Sequence, residues 1–442
     1  MAPSTDVLVI GSGPAGAIVA ERLARGGRRV VLSGRARSGS VLPEETLVPG
    51  AAALLERRDL QGLVASESWF GTRRHGIRWG STALRWRPTD AGARGFQVVR
   101  RDLDRALTQR AVAAGVELRS SGGGVHSAAV KVVATGKSAA PPAFGVSTAD
   151  ALPGTVALFA FGESVAEFSD ATVIEAVPEG WWWWLPIRSG EVCITLFADA
   201  EDVANRGRAA VWASARRAGR GPSGTAPDDI HGAVVATPRR RATAAPVLLT
   251  GDAASSIDPL SSQGLEKALG SAEHAALVAA TILERPDDAD ELRQWHADWE
   301  RGLFEAHARR TLALYAEERR FVETGAVFWD RRHAAHRQRT PLATDLPRRM
   351  RRAPDVIDAR VWHPAPGEVL VPAPAFRLGT DPPVDRVADV PLAALFSLVE
   401  EPLGIDTLLE RARGSADFFH LTASQVRTAV EVAWQRGLVA SA

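Results

Sequence analysis

Residues 6–16 constrain what this chain can fold into more than any other stretch. Their sequence, DVLVIGSGPAG, is an apolar run short enough for a buried strand, followed by closely spaced glycines. Gly11 permits a tight turn, Gly13 lets the backbone approach a pyrophosphate, and Gly16 lets the following helix pack on the strand. The phosphates would then meet N–H groups at the start of that helix. We therefore predict a dinucleotide-binding βα turn, the alternative being an accidental glycine-rich turn.

The residues that follow support this βα unit but depart from its usual pattern at one position. A helical pattern covers residues 17–24, and residues 30–32 supply a second strand. An acidic residue that binds the ribose is usually found about 20 residues beyond the glycines. Gly34 stands at that place, which weakens the expected ribose contact. Arg35 could still meet the adenylate phosphate or stack on the adenine.

Composition argues against several other classes of protein. The net charge of +1 over 442 residues creates no field that would attract nucleic acid or an anionic membrane. No apolar stretch approaches the roughly 20 residues that span a bilayer, and the start of the chain does not resemble a signal peptide. The single cysteine, Cys193, cannot form an internal disulfide. We expect a cytoplasmic protein of two or three structural units, without a metal site.

A basic hairpin and a tryptophan-rich meander occupy the middle of the chain. Residues 69–87 alternate large apolar and basic residues, as in an antiparallel hairpin with one buried face. Their arginines either cover an outer face or line a sheet that faces the substrate. Residues 155–198 are mostly strand and contain the run WWWWLPI at 181–187. Alternate side chains point to opposite faces, so one tryptophan pair can wall a pocket while the other packs in the core, unless all four are structural.

A second group of nucleotide-type features lies between residues 245 and 269. A buried strand ends in Gly251 and Asp252, where a carboxylate can accept a hydrogen bond from a ribityl hydroxyl. Pro259 follows, and then Gly264 and Leu265 begin a helix whose positive N-terminus faces whatever precedes it. Several features of this kind at this separation are much more specific than one glycine motif.

The last third of the chain differs from the rest in its helical patterns and its proline content. Long helical patterns cover residues 272–283 and 287–323. Frequent prolines between residues 354 and 383 predict an extended connector. Residues 390–399, 405–409 and 422–435 then look helical, which predicts a small C-terminal unit.

Together these motifs resemble the class A flavoprotein monooxygenases, and within them the flavin-dependent halogenase-like branch. The resemblance rests on residues 11–16, on residues 96–104 with Arg100 in the family's flavin-contacting position, and on the motif that begins at Gly251 and Asp252. The sharpest match is Trp-x-Trp-x-Leu-Pro at 181–186, which is similar to the Trp-x-Trp-x-Ile-Pro signature of the halogenase branch.

The resemblance implies an α/β fold: a Rossmann-type FAD-binding domain, an inserted antiparallel β-sheet substrate domain and a C-terminal helical extension. The domain bounds we predict are 1–155 and 235–285 for FAD binding, including the 69–95 hairpin of the substrate side, 156–234 for the substrate sheet, 286–345 for long helices, 346–389 for a proline-rich connector and 390–442 for a small helical domain that resembles a winged helix. The residues we expect to contact FAD are Gly11, Gly13, Pro14, Ala15, Gly16, Arg35, Glu45, Arg100, Gly251, Asp252, Pro259, Gly264 and Leu265.

One feature of the halogenases is missing from the matching segment. Halogenases of this branch use a lysine that reacts with hypohalous acid, whereas residues 34–129 contain no lysine. A guanidinium stays protonated and is a poor nucleophile, so the arginines of the hairpin cannot replace it. This absence disfavours halogenation.

Within the branch, the order of motifs, the missing lysine and the additional C-terminal unit are similar to enzymes that hydroxylate a peptidyl tryptophan. Those enzymes act in biogenesis of the cysteine tryptophylquinone cofactor of quinohemoprotein amine dehydrogenase. The resemblance implies a protein or peptide substrate bearing tryptophan, and oxygen transfer from dioxygen through a flavin C4a-hydroperoxide. The electron donor would be NAD(P)H or a separate flavin reductase.

Oxygen transfer to an indole calls for an acid or base near the ring. His75 is a candidate by its position, the alternative being an ordinary surface histidine. Trp181 and Trp183 would hold the indole or wall the pocket. Two other functions stay open: a hydroxylase or halogenase of a free aromatic metabolite, and a peptide-binding scaffold with a vestigial flavin.

Overall fold

The structure is a computed structural model, and we describe most of the chain from it. The described residues are 5–34, 45–56, 70–71, 74–88, 96–120, 127–138, 140–163, 168–188, 190–221, 229–322, 324–339, 346–365, 369–388, 390–413, 415, 418 and 422–442. Within these ranges, no helix is both long enough and apolar enough to cross a membrane. The chain divides into two compact units, the first of residues 1–284 and 303–339, and the second of residues 285–302 and 340–442.

A five-stranded parallel sheet forms the first layer of unit one. Its strands are β1 (Thr5–Ile10), β2 (Val30–Gly34), β8 (Glu117–Ser120), β9 (Ala128–Val133) and β17 (Leu248–Leu249), in the order β17-β9-β1-β2-β8. Val7 and Val9 are fully buried in the central strand, as expected for a parallel sheet covered on both faces. Helix α1 (Pro14–Arg25) crosses from β1 to β2, which confirms the predicted βα unit.

A seven-stranded sheet, almost entirely antiparallel, forms the second layer. Its order is β15-β11-β14-β13-β12-β5-β6, and β5 with β12 is its parallel pair. Its strands are β5 (Arg74–Arg78), β6 (Arg85–Pro88), β11 (Thr155–Glu163), β12 (Ala171–Val177), β13 (Gly180–Arg188), β14 (Glu191–Asp199) and β15 (Gly232–Val235). The predicted basic hairpin is therefore the antiparallel pair of β5 and β6. The predicted meander is confirmed for β12, β13 and β14, whereas β11 pairs with β14 and not with β12.

Shorter sheets and helices complete unit one. The sheets are β3-β7-β4, of Glu45–Leu47, Phe96–Val98 and Phe70–Gly71, and β10-β16-β18, of Ser147–Ala151, Arg239–Ala242 and Ser255–Ser256. The helices are α2 (Pro49–Glu56), α3 (Arg100–Ala113), α4 (Ala200–Arg206), α5 (Arg208–Ala218), α6 (Gly264–Glu284), the second part of α7 (Ala289–Glu317), and α8 (Val327–Arg339). The predicted helix after Arg100 is confirmed, because Leu103, Leu107 and Ala111 form its buried stripe.

Unit two contains the first part of α7, three strand pairs and three short helices around its own core. The strands are β19 (Met350–Arg352), β20 (Val356–Ala365), β21 (Val369–Leu378), β22 (Arg386–Val387), β23 (Val390–Pro391) and β24 (Val439–Ser441), paired as β19-β24, β20-β21 and β22-β23. The helices are α9 (Leu392–Leu398), α10 (Ile405–Arg413) and α11 (Ala423–Gln435). The Thr422 side chain and Gln425 form a capping box at α11, as its sequence predicts.

The prediction of an extended proline-rich connector is wrong for residues 356–378, which form the long hairpin of β20 and β21. Pro364, Pro372 and Pro374 lie opposite Leu370, Trp362 and Arg360 in its register. The three prolines therefore all belong to alternate residue pairs of the same type, either hydrogen-bonded or not hydrogen-bonded. Proline has no N–H to donate, so these must be the positions whose nitrogens point away from the partner strand. A two-stranded ribbon tolerates such prolines, which a central strand would not.

Candidate active site

The turn between β1 and α1 combines two close backbone approaches with open space at the helix N-terminus. Gly11 adopts a φ of +113°, and a Cβ there would lie 2.2 Å from the carbonyl oxygen of Ala134. A Cβ on Gly16 would lie 1.8 Å from the oxygen of Gly11, so neither position accepts a side chain. At Gly13 a Cβ would meet no atom within 4 Å. The space in front of the helix is thus open. The backbone N–H of Ala15, in the first turn, has no acceptor within the helix.

The absence of an acidic residue at Gly34 has a structural reason. A Cβ at this position would lie 2.2 Å from Oγ of Ser12 and 2.8 Å from its backbone nitrogen. The glycine turn and the end of β2 are therefore too close for the usual acidic side chain. Arg35, the residue expected to contact the adenosine in its place, lies outside the described residues.

Two predicted cofactor residues, Arg100 and Glu45, bind each other. Nη1 of Arg100 lies 2.5 Å from Oε1 of Glu45, and its Nε lies 2.8 Å from Oδ1 of Asp104. Burial lowers the pKa of Arg100, but these carboxylates outweigh it and hold the pKa above its ordinary value. Thr108, one turn further along α3, donates its hydroxyl to the carbonyl of Asp104 at 2.8 Å, and the same oxygen lies 3.4 Å from the carbonyl oxygen of Ser12. The ion pair therefore lies beside the glycine turn.

The loop after β17 meets the glycine turn at the same edge of the parallel sheet. A Cβ on Gly251 would lie 2.8 Å from Cβ of Ala15, so the two predicted motifs are in contact. The loop is held by Ser271, whose Oγ accepts from the Gly251 N–H at 2.8 Å. Nζ of the buried Lys267 donates to the carbonyls of Gly251 and Ser255 at 2.9 and 2.8 Å. Asp252 thus projects from a rigid turn.

The chain then passes through Asp258 to the predicted residues Pro259, Gly264 and Leu265. Oδ1 of Asp258 accepts from the Leu260 N–H at 3.0 Å and caps the short helix Pro259–Ser261. Gly264 begins helix α6 with open space where a Cβ would be, and Leu265 is buried beneath it. This segment of the chain thus runs from the edge of the parallel sheet to Asp258, which is linked to strand β13 as described below.

The four tryptophans of β13 alternate between two faces, as predicted. Trp182 and Trp184 pack with Trp212 of α5 on what we call the back face. Trp181 and Trp183 lie on the opposite, front face. Trp181 is 1% exposed and stacks on Phe197, with ring centroids 4.1 Å apart, so it is a core residue. Only Trp183, which is partly exposed, could contact a ligand directly.

A buried hydrogen-bond chain joins the tryptophan strand to the loop at Asp258. Trp181 donates its indole N–H to the Tyr315 hydroxyl at 3.2 Å, and Tyr315 donates to Oδ1 of Asp258 at 2.9 Å. Burial raises the pKa of Asp258, although the Leu260 N–H and the positive charge of Arg332 lower it. Burial and the Asp258 carboxylate raise the pKa of Tyr315 well above its ordinary value. Tyr315 therefore stays a donor at neutral pH.

Replacing Tyr315 with phenylalanine is expected to lower the free energy of unfolding by about 1–3 kcal/mol, because two buried polar groups then lose a partner. Chemical denaturation of the wild type and the variant measures this difference. An unchanged free energy of unfolding would show that the hydrogen-bond chain contributes nothing.

His75 lies on the front face, in the part of it nearest the β6 edge. Residues that are paired across neighbouring strands form rows on the front face. One row consists of Phe159, Thr195, Trp183, Ile174, Ile77 and Arg85. The next row on the same face contains Thr172, His75 and Arg87. Nδ1 of His75 lies 2.6 Å from Oγ1 of Thr172. Burial lowers the pKa of His75. The imidazole is thus neutral near pH 7, in the state that can accept a proton.

The lowered pKa of His75 predicts a loss of stability in acid. The unfolded chain takes up this proton near the ordinary value of 6.5, before the folded chain does. The contribution of His75 is therefore fully present above that value, and it is lost as the pH falls through the folded pKa. We expect the difference in unfolding free energy between the wild type and His75→Gln to shrink between about pH 7 and about pH 5. A difference in unfolding free energy that does not vary with pH would contradict the lowered pKa of His75.

Sequence patterns did not reveal three residues that organise this site: Asp258 as a buried acceptor, Tyr315 and Lys267. Tyr315 is the single tyrosine of the chain, in the middle of a long helix. That isolation was a signal, because a lone buried tyrosine needs a partner for its hydroxyl. Lys267 follows Gly264 by three residues and so lies on the first turn of α6. Its burial beneath a loop depends on tertiary packing and has no local pattern.

Several solved structures are similar to this chain over most of its length. The chain is similar to QhpG, a peptidyl tryptophan dihydroxylase essential for tryptophylquinone cofactor biogenesis, at 22% identity and a TM-score of 0.66, covering 98% of this chain and 99% of that chain. It is similar to CmlS, a flavin-dependent halogenase, at 19% identity and a TM-score of 0.74, covering 99% and 96%. PqsL, a probable FAD-dependent monooxygenase from Pseudomonas aeruginosa, matches at 18% identity and a TM-score of 0.58, covering 73% and 99%.

No family model matches the sequence, and no curated protein matches it. The structural likeness establishes that the chain has the mixed α/β fold found in FAD-dependent monooxygenases and halogenases. This confirms, at the level of the fold, the resemblance seen in the sequence motifs.

Proposed function

We propose that this chain is an FAD-dependent monooxygenase that hydroxylates a tryptophan side chain of a protein or peptide, in maturation of a tryptophylquinone cofactor. The observation that carries the proposal is the chain from Asp258 through Tyr315 to Trp181. It joins the loop predicted to hold the flavin to the sheet predicted to hold the substrate. The likeness to QhpG and PqsL supports FAD and an oxidoreductase activity.

The described residues fit the parts of FAD. The open N-terminus of α1 at Gly13 would hold the pyrophosphate, and Asp252 would accept from a ribityl hydroxyl. The N-terminus of α6 at Gly264 would stabilise negative charge on the flavin ring. When bound and reduced, FAD supplies the activation of dioxygen. The protein's own task is to hold the cofactor and the aromatic ring of the substrate together and to exclude water.

The front face has the residues for that task. Trp183, Ile174 and Ile77 form an apolar, partly exposed row against which an indole ring can lie. His75 adjoins this row and is neutral, so it can accept the proton that leaves the ring when oxygen is added. Trp181 does not touch the substrate in this account. It positions the strand through Tyr315 and Phe197.

The positions of the lysines favour hydroxylation over halogenation. The chain has three lysines, Lys131, Lys137 and Lys267. Lys131 lies in the parallel sheet, Lys137 follows it in a turn, and Lys267 is buried with its Nζ bonded to two carbonyls. None of them lies on the front face. A lysine that could react with hypohalous acid beside the substrate is therefore missing.

A competition experiment tests the substrate class. Protein loaded with FAD is given a reductant, dioxygen, chloride and bromide, together with a tryptophan-containing peptide and an equal concentration of a small phenol. We expect the peptide to gain oxygen on tryptophan and no halogen, as measured by tandem mass spectrometry. Oxidation of the phenol with an unchanged peptide would contradict the peptidyl substrate, and a halogenated product would contradict hydroxylation.

A further inference from the structure

The arginines of the β5-β6 hairpin differ in their partners according to the face they occupy. Arg74 and Arg78 alternate with His75 and Ile77 along β5 and so lie on the back face. Arg85 and Arg87 are opposite Ile77 and His75 in register and so lie on the front face. All four belong to the same two adjacent strands, which makes them a natural comparison.

The back-face arginines are each neutralised by a carboxylate. Nε of Arg74 lies 3.2 Å from Oδ1 of Asp170, and the guanidinium also covers the ring of Trp86 at 4.3 Å. Nη1 of Arg78 lies 2.8 Å from Oε1 of the buried Glu175. These two side chains therefore have structural roles that account for their presence.

The front-face arginines have no such partner in the part of the chain that the structure describes. Neither Arg85 nor Arg87 has a carboxylate oxygen within 4 Å there, and both are exposed. Nη2 of Arg85 donates to the carbonyl of Trp79 at 2.9 Å, which fixes the direction of the guanidinium. Within the described residues, two positive charges without a carboxylate partner thus lie at the edge of the face that carries His75.

Resting on the function proposed above, we propose that Arg85 and Arg87 bind the carboxylates of an acidic segment of the polypeptide substrate. Two residues apart on one strand face, their Cα atoms are about 7 Å apart, which is the spacing of alternate side chains in an extended peptide. Strand β6 also ends the sheet among the described residues, where a peptide strand can pair with backbone groups.

This placement would bring the reacting ring to the candidate base. Directly opposite residues in an antiparallel pair have Cβ atoms about 5 Å apart, and Arg87 is opposite His75. A carboxylate held by Arg87 therefore leaves the aromatic side chain of a nearby substrate residue within reach of His75. The recognised feature is a tryptophan with acidic residues at alternate positions beside it.

Binding measurements without turnover test the inference separately from the proposed reaction. The probe is a fluorescein-labelled peptide with a central tryptophan and flanking aspartates at alternate positions, compared with a copy in which asparagines replace the aspartates. Fluorescence anisotropy with the FAD-loaded protein at low salt is expected to show about tenfold tighter binding of the acidic peptide. The preference should fall as salt is added.

Charge-removing variants locate the effect. The double variant Arg85→Gln with Arg87→Gln is expected to lose the preference, whereas Arg74→Gln, the same change on the back face, should keep it. The double variant Arg85→Lys with Arg87→Lys should retain most of the preference, because it keeps both charges. Equal binding of the two peptides, or a preference that survives the double variant, would overturn the inference. So would indole-3-acetate displacing the acidic peptide as strongly as an unlabelled copy does.

These outcomes separate the two proposals. A protein that binds the acidic peptide through Arg85 and Arg87 but does not oxidise it would contradict the proposed function alone. A protein that hydroxylates both peptides with the same KM would contradict the inference alone.

Discussion

Changing Gly13 to aspartate is expected to abolish FAD binding while leaving the protein folded. A Cβ at this position meets no atom within 4 Å, so the new side chain enters the open space in front of α1. That space is where we place the pyrophosphate, and the carboxylate would repel it. Two unit charges about 4 Å apart at an effective dielectric constant of about 20 repel by about 4 kcal/mol, which is about a thousandfold in affinity.

The matched control is Gly270→Asp. Gly270 lies in helix α6, a Cβ there also meets nothing within 4 Å, and we assign it no FAD contact. Titration with FAD, followed by flavin fluorescence, gives the affinity of each variant, and circular dichroism shows whether each is folded. Wild-type affinity in a folded Gly13→Asp variant would remove this turn from the FAD site. An equal loss in both variants would mean that the added charge acts non-specifically.

Changing Trp181 to alanine is expected to affect mainly the free energy of unfolding, and changing Trp183 to alanine mainly the turnover of the peptide. Trp181 is 1% exposed and stacked on Phe197, so its loss should lower the free energy of unfolding by about 3–5 kcal/mol. Trp183 is partly exposed on the front face, and its loss should cost about 1–2 kcal/mol. Turnover of the peptide should instead fall in Trp183→Ala at temperatures where both variants are folded.

Urea denaturation and peptide turnover by the same preparations measure the two effects. Trp182→Ala serves as a back-face control, since its ring packs against Trp212 and away from the proposed site. If Trp183→Ala retains full turnover, the tryptophan run is structural on both faces. A small loss of stability in Trp181→Ala would contradict its place in the core.

The sequence was informative wherever a function depends on local geometry. The glycines at 11 and 16 are required by close backbone approaches, so their spacing alone predicted the turn. Strand alternation likewise predicted that the tryptophans would divide between two faces. It could not tell which pair is accessible, because helices α7 and α8, far along the chain, cover Trp181 and leave Trp183 partly exposed.

Long-range contacts determine the parts that were missed. Tyr315 lies 134 residues from its indole donor Trp181 and 57 from Asp258, so no local pattern could connect them. The prolines of residues 364–374 looked like breaks because a single strand cannot show which of its nitrogens face a partner. The partners of Arg74 and Arg78, just before and within β12, are also distant in the chain, which is why the hairpin alone left the role of its arginines undecided.

Isotope labelling shows whether the protein transfers an oxygen atom from dioxygen to a peptidyl tryptophan. FAD-loaded protein is reduced anaerobically, mixed with a tryptophan-containing peptide, and then exposed to ¹⁸O₂ for a single turnover. We expect a peptide that carries the heavy oxygen isotope on the indole ring, located by tandem mass spectrometry. An unlabelled peptide, with all of the ¹⁸O₂ recovered as hydrogen peroxide, would contradict it.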